Sequence, residues 1–344
     1  MKIATQKILV AGAGGYLGIP TCLALLGEGY EVVALDRYYF GRNKMSVAAG
    51  HQKLSIIDAD IRTFDSLYLK GVHTVIDLSG LSNDSSAELN EEITKSINCT
   101  GGKRLACLAK EAGVTRYIYA SSGSVYGSQY NNVLSEESDC NPVTLYSRCK
   151  LEVENYLIKI ASHHFQPIIF RISTVFGVAT RMRFDLVVNL MSLLAWKDGV
   201  IRINGSGDQW RPIIHVNDVV RAFVLGIQCH HSSAPNQIFN LGCSSMNYQI
   251  KDIADMVLRC FPRAGIERLL DAQDGMSYQL SFSKIAKFLG FEAVLSLSEG
   301  IHEVQDALAR GYISGVDPTS YTSQWYRTLP NFSAAPSECK SIIT

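Results

Sequence analysis

The chain has no excess of charge of either sign: 32 Lys and Arg stand against 32 Asp and Glu among 344 residues, a formal net charge of +0. Nucleic acids and anionic membranes favour a basic face, so neither is expected as a partner. No apolar run approaches the roughly 18 residues that a membrane span needs, and no apolar leader precedes the strand-like run from Ile8 to Ala11. The expected location is therefore the cytoplasm. The nine cysteines include no C-x-x-C pair, and an odd, widely spaced set fits neither a disulfide framework nor a zinc site. Reduced thiols and no bound metal are expected. Internal repeats and low-complexity tracts are also missing.

What is present is globular: 47% hydrophobic and 19% charged residues. The length suits two lobes of unequal size. In the first half, short apolar runs at Lys7–Ala11, Glu31–Asp36, Leu54–Asp58, Thr74–Leu78, Tyr117–Ser121 and Pro167–Ile172 alternate with helical patterns at Ile19–Glu28, Glu91–Ala112 and Leu145–Ser162. The runs are apolar throughout, as in strands buried on both faces. Strand–helix–strand repetition with short links predicts an α/β fold with a doubly wound parallel sheet of Rossmann type. Past Gly177 the rhythm changes. Helices are expected at Phe184–Trp196, Val216–Cys229 and Asn247–Cys260, the last with Ser244–Ser245 as cap candidates, and strands at Val200–Ile203 and Gln237–Leu241. The expected organisation is a dinucleotide-binding domain over 1–177, rejoined by 212–242, and a smaller interleaved α/β lobe over 178–211 and 243–315. The segment 316–344 is expected to be a tail with little structure of its own.

Residues 8–18 read Ile-Leu-Val-Ala-Gly-Ala-Gly-Gly-Tyr-Leu-Gly: a buried strand, glycines at 12, 15 and 18, then a helix. Gly12 permits the tight turn, Gly15 lets backbone approach a pyrophosphate, and Gly18 lets helix and strand pack closely. The helix N-terminus then faces the phosphates. Asp36 ends the second strand, where a carboxylate accepts from both adenosine ribose hydroxyls and repels a 2′-phosphate. NAD is favoured over NADP, although Arg37 follows immediately and offers a phosphate some accommodation. Asp60 is either a contact to the adenine amino group or a solvated acid at a strand end.

Tyr146 and Lys150 stand at i and i+4 of a helical segment, so both point to one face. Ser121–Ser122 ends a strand 24 residues before Tyr146, counting from Ser122. The C-terminal ends of strands are where ligands bind in an open α/β sheet. A free tyrosine, with a pKa of about 10, is too weakly acidic to serve as a base at neutral pH. An adjacent ammonium and a cationic nicotinamide favour the phenolate. Lowering that pKa by about three units takes roughly 4 kcal/mol, about what one close charge supplies at an effective dielectric near 20. Tyr146 can then accept a proton from a substrate hydroxyl as hydride leaves the same carbon. Ser122 would donate to the developing carbonyl oxygen, and Lys150 would also hold the nicotinamide ribose.

These motifs, with Ser124-Val-Tyr-Gly127, Arg171-Ile-Ser-Thr-Val-Phe-Gly177 and Arg211-Pro-Ile-Ile-His-Val-Asn-Asp218, resemble the extended short-chain dehydrogenase/reductases. More narrowly, over residues 6–310 the chain is similar to their NAD-dependent nucleotide-sugar epimerase/dehydratase branch. The resemblance implies NAD contacts from Gly12, Gly15, Tyr16, Leu17, Asp36, Asp60, Ile61, Leu78, Ser79 and Asn98, with Tyr146 and Lys150. It implies a nucleotide-diphosphate sugar in the second lobe, near Ser82, Ser122, Thr174, Asn189 and Arg211. Asn189 is either a diphosphate contact or the polar face of a helix, and His215 is expected to hold structure. The dehydratases of this branch carry Asp-Glu after the catalytic hydroxyl residue. Here Gly123 and Ser124 stand there, which favours C4 redox or epimerisation. Many epimerases also carry an arginine near a stretch matching Asp271–Tyr278. None is present here, and Arg181 or Arg183 is the candidate substitute. The expected function is thus C4 epimerisation through a 4-keto sugar, with a 4-dehydrogenase or 4-ketoreductase as the near rival. A non-catalytic NAD-binding regulator would normally lose Tyr146 or Lys150, and both are kept. By the same resemblance the helices at 91–112 and 145–162 would pair in a homodimer.

Overall fold

A computed structural model describes residues 6–129, 132–229, 237–269 and 276–333. Asp271 to Gly275, Cys339 and the end of the expected tail lie outside the described residues. The strands are β1 Lys7–Ala11, β2 Glu31–Asp36, β3 Leu54–Asp58, β4 Val72–Asp77, β5 Arg116–Ser122, β6 Val133–Leu134, β7 Gln166–Ile172, β8 Thr174–Phe176, β9 Val200–Asn204, β10 Trp210–His215, β11 Gln237–Leu241, β12 Asn247–Gln249, β13 Gly265–Leu269 and β14 Gln279–Leu280. The helices are α1 Gly18–Gly27, α2 Asp84–Ala87, α3 Glu91–Thr94, α4 Gly102–Glu111, α5 Leu145–Ile160, α6 Val187–Lys197, α7 Val216–Gln228, α8 Ile250–Cys260, α9 Ser283–Leu289, α10 Leu297–Ala309, α11 Thr322–Thr328 and α12 Pro330–Ser333.

Seven parallel strands form the main sheet in the order β11-β7-β5-β4-β1-β2-β3. The chain builds outward from β1 in one direction through β2 and β3, then returns to β4 on the other side. The crossovers diverge at β1, and a crevice opens at the carboxyl ends of β1, β2 and β4. The uninterrupted apolar run Ile8–Ala11 is fully buried there. A smaller sheet, β12-β10-β8, and the pair β13–β9 stand beside it.

Several boundaries differ from the sequence reading for identifiable reasons. The expected single helix 91–112 is broken by a π-helical turn, Lys95–Gly101, which carries Asn98. The residues from Asn247 do not start a helix capped by Ser244–Ser245. Asn247–Gln249 instead pairs antiparallel with Trp210–Pro212, and Asn247 bonds both backbone groups of Leu280 at 2.9 and 3.0 Å. The helix starts at Ile250, where Gln249 forms a capping box with Asp252. Phe184–Leu186 forms a turn ahead of α6 rather than its first residues, and the Phe184 N–H donates to the Ser320 carbonyl at 2.9 Å. The segment from 316 is not structureless: it forms a 3₁₀ turn at Pro318–Ser320, then α11 and α12, and buries Tyr326 and Phe332.

Behind the C-terminal end of β5 lies a buried polar network. Arg171 pairs with Glu154 at 2.8 Å, both 4% exposed or less, and donates to the Tyr126 hydroxyl at 2.9 Å. Tyr126 donates to Asn240 at 2.7 Å, and Ser121 donates to Glu154. Breaking such a pair strands a charge out of water. Glu154→Ala is therefore expected to cost about 3–5 kcal/mol in a urea titration. Replacing Glu154 and Arg171 together by Met should recover most of that loss. A double replacement no better than the single one would contradict this account.

Candidate active site

The crevice is a cavity of about 450 Å³ lined from one end by Gly12, Gly15, Leu17 and Asp36 and from the other by Ser122, Tyr146 and Lys150. Gly12 has φ +80, and a Cβ there would lie 2.6 Å from the Leu78 carbonyl oxygen. A Cβ on Gly18 would lie 2.2 Å from the Gly12 carbonyl oxygen. The loop therefore packs only as glycine, and α1 starts at the cavity with no side-chain cap on its first turn. Its N–H groups and dipole suit an anion. Asp36 shapes the same loop by accepting from the N–H of Gly14 at 2.9 Å and of Tyr38 at 2.7 Å. Burial pushes its carboxyl upward, and those two N–H bonds oppose the shift. Each oxygen keeps acceptor capacity for a ribose hydroxyl. This donor and acceptor set fits a dinucleotide.

At the other end Thr144 caps α5 in a capping box with Ser147, which fixes Tyr146 in the first turn and Lys150 one turn on. Thr144 also donates to Asp84 at 2.6 Å. Lys150 donates to the Ala120 carbonyl at 2.7 Å, and its ammonium lies 4.8 Å from the Tyr119 ring and 5.7 Å from the Tyr146 ring. Burial lowers the Lys150 pKa, while the nearby Asp77 carboxylate opposes that shift. Asp77 is itself buried, accepting from Tyr117 at 2.8 Å and from the Ser79 N–H at 3.0 Å. Burial pushes the Tyr146 phenol up to about 12, and Asp84 adds to this, whereas Arg183 and a hydrogen bond with Ser122 pull it down. Ser124 donates to the Ser122 hydroxyl at 2.9 Å, leaving the Ser122 proton free to point elsewhere.

Other expected residues fall into two groups. Tyr16, Ile61, Leu78, Ser79, Ser82, Thr174 and Arg211 line the cavity, as does Asp60. The Asp60 carboxylate is gripped by Arg62 at 2.6 Å, which holds it below its ordinary range despite partial burial. Arg211 stands over the Tyr278 ring at 5.6 Å and donates to the Trp210 carbonyl at 2.8 Å. Asn98 and Asn189 are placed behind the wall rather than on it. Asn98 accepts from the Leu81 N–H at 2.7 Å and donates to its carbonyl at 3.0 Å, so it positions the loop that carries Ser79 and Ser82. Asn189 is fully buried, accepting from the Gly177 N–H and donating to the Arg183 carbonyl, both at 3.0 Å, and to the Tyr16 hydroxyl at 3.2 Å. Its amide is thus fully engaged by protein groups. His215 caps α7 and meets Glu303 at 2.8 Å.

Arg181 and Arg183 both reach the cavity wall. Arg183 pairs with Asp185 at 2.7 Å. Sequence reading missed Asp84, Tyr278 and Tyr326, which also line the cavity. No motif marks them, because distant segments bring them there.

The NAD dependent epimerase/dehydratase family model matches residues 8–242. The chain is 27% identical over 307 residues to UDP-glucuronic acid decarboxylase 1 of Xenopus tropicalis, covering 87% of this chain and 71% of that one. It is 26% identical over 306 residues to a putative UDP-glucose 4-epimerase of Methanocaldococcus jannaschii, covering 86% and 96%. The solved structure of MoeE5 in complex with UDP-glucuronic acid and NAD superposes with a TM-score of 0.79 at 25% identity, covering 89% of this chain and 99% of that one. With the glycine loop, Asp36 and the Ser122–Tyr146–Lys150 wall in one crevice, the chain is an NAD-dependent enzyme and belongs to the NAD dependent epimerase/dehydratase family.

Proposed function

We propose that the enzyme is a nucleotide-sugar C4 epimerase working by reversible hydride transfer through a 4-keto sugar. The observation that carries this reading is the catalytic wall itself. Ser122, Tyr146 and Lys150 share one cavity, and Gly123 and Ser124 occupy the positions where dehydratases carry acids. A Cβ on Gly123 would already meet Leu280 and Tyr278 at 3.1 and 3.2 Å, so little room exists for an acid there. The relatives' names favour a UDP-sugar, and we assign its binding to the lobe formed by 178–211 and 243–315, with Thr174, Ser82 and Arg211 at the boundary.

Bound NAD supplies the hydride acceptor and a positive ring charge. Tyr146 takes the C4 hydroxyl proton, and Ser122 donates a hydrogen bond to the oxygen as it becomes a carbonyl. Lys150 is anchored on Ala120 and would hold the nicotinamide ribose. Two cations stand near Tyr146: the Lys150 ammonium, 5.7 Å from its ring, and Arg183, which draws the phenol pKa down. Once the 4-keto sugar has turned over, the same groups run in reverse and return the proton.

Tyr146→Phe should lower kcat by at least about 100-fold on UDP-hexose or UDP-hexuronate substrates. Unchanged turnover would refute the base assignment. A base works only when deprotonated, so a higher phenol pKa moves the rising limb of kcat/KM to higher pH. Arg183→Met is expected to shift that limb in the alkaline direction, and a limb that stays or moves to lower pH would remove Arg183 from this role. With substrate deuterated at C4, the label should reappear at C4 of the epimer without build-up of reduced cofactor. Reduced nicotinamide accumulating in step with a 4-keto product would replace epimerase by 4-dehydrogenase. We also propose a homodimer through α5 and the helical segment 91–111. A monomeric mass by light scattering at micromolar concentration would refute it.

A further inference from the structure

The segment Asp317–Phe332 packs beside the crevice, contributes Tyr326 to its lining and is tied down at four points. Asp317 pairs with Lys44 at 2.8 Å, and Trp325 donates its indole N–H to the Tyr39 carbonyl at 2.7 Å. Tyr326 packs on Phe40 at 5.3 Å and on Tyr39 at 6.1 Å. Thr322 accepts from Arg181 at 2.9 Å and donates to Asp185 at 3.1 Å. The residues that receive these contacts, Tyr39 and Phe40, directly follow the turn after Asp36. The segment therefore roofs the end of the cavity where the adenosine ribose carboxylate stands.

Under that roof Arg181 is unusual. Its side chain is 1% exposed and lines the cavity, with its guanidinium 3.7 Å from the centre of the Phe40 ring. Among the described residues no carboxylate lies within ion-pair distance of it, and its Nε has no hydrogen-bond partner. Arg183 pairs directly with Asp185, whereas Arg181 reaches that carboxylate only through the Thr322 hydroxyl. Burial and the neighbouring Arg183 lower its pKa to about 10. A buried cation without its anion is costly, and native proteins keep one where a ligand supplies the charge.

We propose that Arg181, braced by Thr322 and stacked on Phe40, grips a diphosphate in the roofed half of the crevice, that of the dinucleotide, and that the segment 317–332 thereby holds the cofactor against exchange. The position supports the dinucleotide over the sugar nucleotide. Arg181 stacks on Phe40, which packs on Tyr326 and lies four residues after Asp36, so the guanidinium stands on the ribose-carboxylate side of the crevice. A dinucleotide with its ribose at Asp36 and its nicotinamide near Tyr146 would place its diphosphate between them, in the cavity that Gly12, Gly15 and Arg181 all line. A planar fork suits such a group, and its flanking phenyl ring fixes the plane. The proposal deepens the NAD assignment and requires no particular sugar reaction.

The test measures binding without any sugar substrate. Arg181→Met keeps the stem and removes the charge, and Arg181→Lys restores the charge without the fork. Purified protein stripped of nucleotide would be titrated with NAD and, separately, with UDP, and circular dichroism would confirm that each variant is folded. Arg181→Met should weaken NAD binding by roughly 10- to 100-fold, leave UDP binding unchanged, and be partly rescued by Arg181→Lys. Thr322→Val, which unties the brace, should speed release of prebound NAD in a dilution assay. A loss confined to UDP would transfer the site to the sugar nucleotide and overturn the proposal. Equal affinities for both ligands in a folded Arg181→Met protein would reduce Arg181 to a packing residue. If NAD binding falls as expected while no UDP-sugar turns over, the inference stands and the epimerase reading fails.

Discussion

Six of the seven strands of the main sheet end at one crevice, and the ionisable groups buried there lose water. That loss sets the rest of the design. It pushes the carboxyls of Asp36 and Asp77 and the phenol of Tyr146 upward and the ammonium of Lys150 downward, all toward their neutral forms. Chemistry needs charge at two of these positions, so the fold supplies partners one at a time. Asp77 faces Lys150, Arg183 faces Tyr146, and two backbone N–H groups hold Asp36. The low dielectric that makes each charge expensive also makes each partner effective.

The same logic separates the arginines. Arg171 is buried with Glu154 and Tyr126 and serves the scaffold behind β5. Arg183 is buried in a direct pair with Asp185 on the cavity wall. Arg181 is buried with only the Thr322 hydroxyl between it and that carboxylate. Arg211, half-buried over Tyr278, lines the same cavity.

The main sheet was readable because a parallel strand buried on both faces must be apolar throughout. The catalytic wall was readable because Tyr146 and Lys150 are one helical turn apart and Ser122 ends a strand. Each of these signals is local. What the sequence could not show falls where a distant segment decides. Asn98, in a π-helical turn, bonds both backbone groups of Leu81, and Asn189 is engaged by Gly177, Arg183 and Tyr16. Asn247–Gln249 has a helical pattern but meets the free edge of β10. The terminal segment lacks periodicity. Its order comes from four aromatic side chains, Tyr39, Phe40, Tyr326 and Phe332, which reach one another only after the sheet has formed.

That last element bears on the kind of reaction the crevice suits. An enzyme that sends reducing equivalents elsewhere must release its cofactor each cycle, so a roof over the adenosine half works against it. An enzyme that returns hydride to the sugar gains from the same roof, because a cofactor lost mid-cycle strands a 4-keto product. Trp325, Tyr326 and Thr322 bind the roof to Tyr39, Phe40 and Arg181 through one indole donor, stacked rings and a shared hydroxyl. These contacts lie outside the residues that would touch the sugar. On that reading, cofactor retention and sugar chemistry would fall to separate parts of the chain, and one could be altered without dismantling the other.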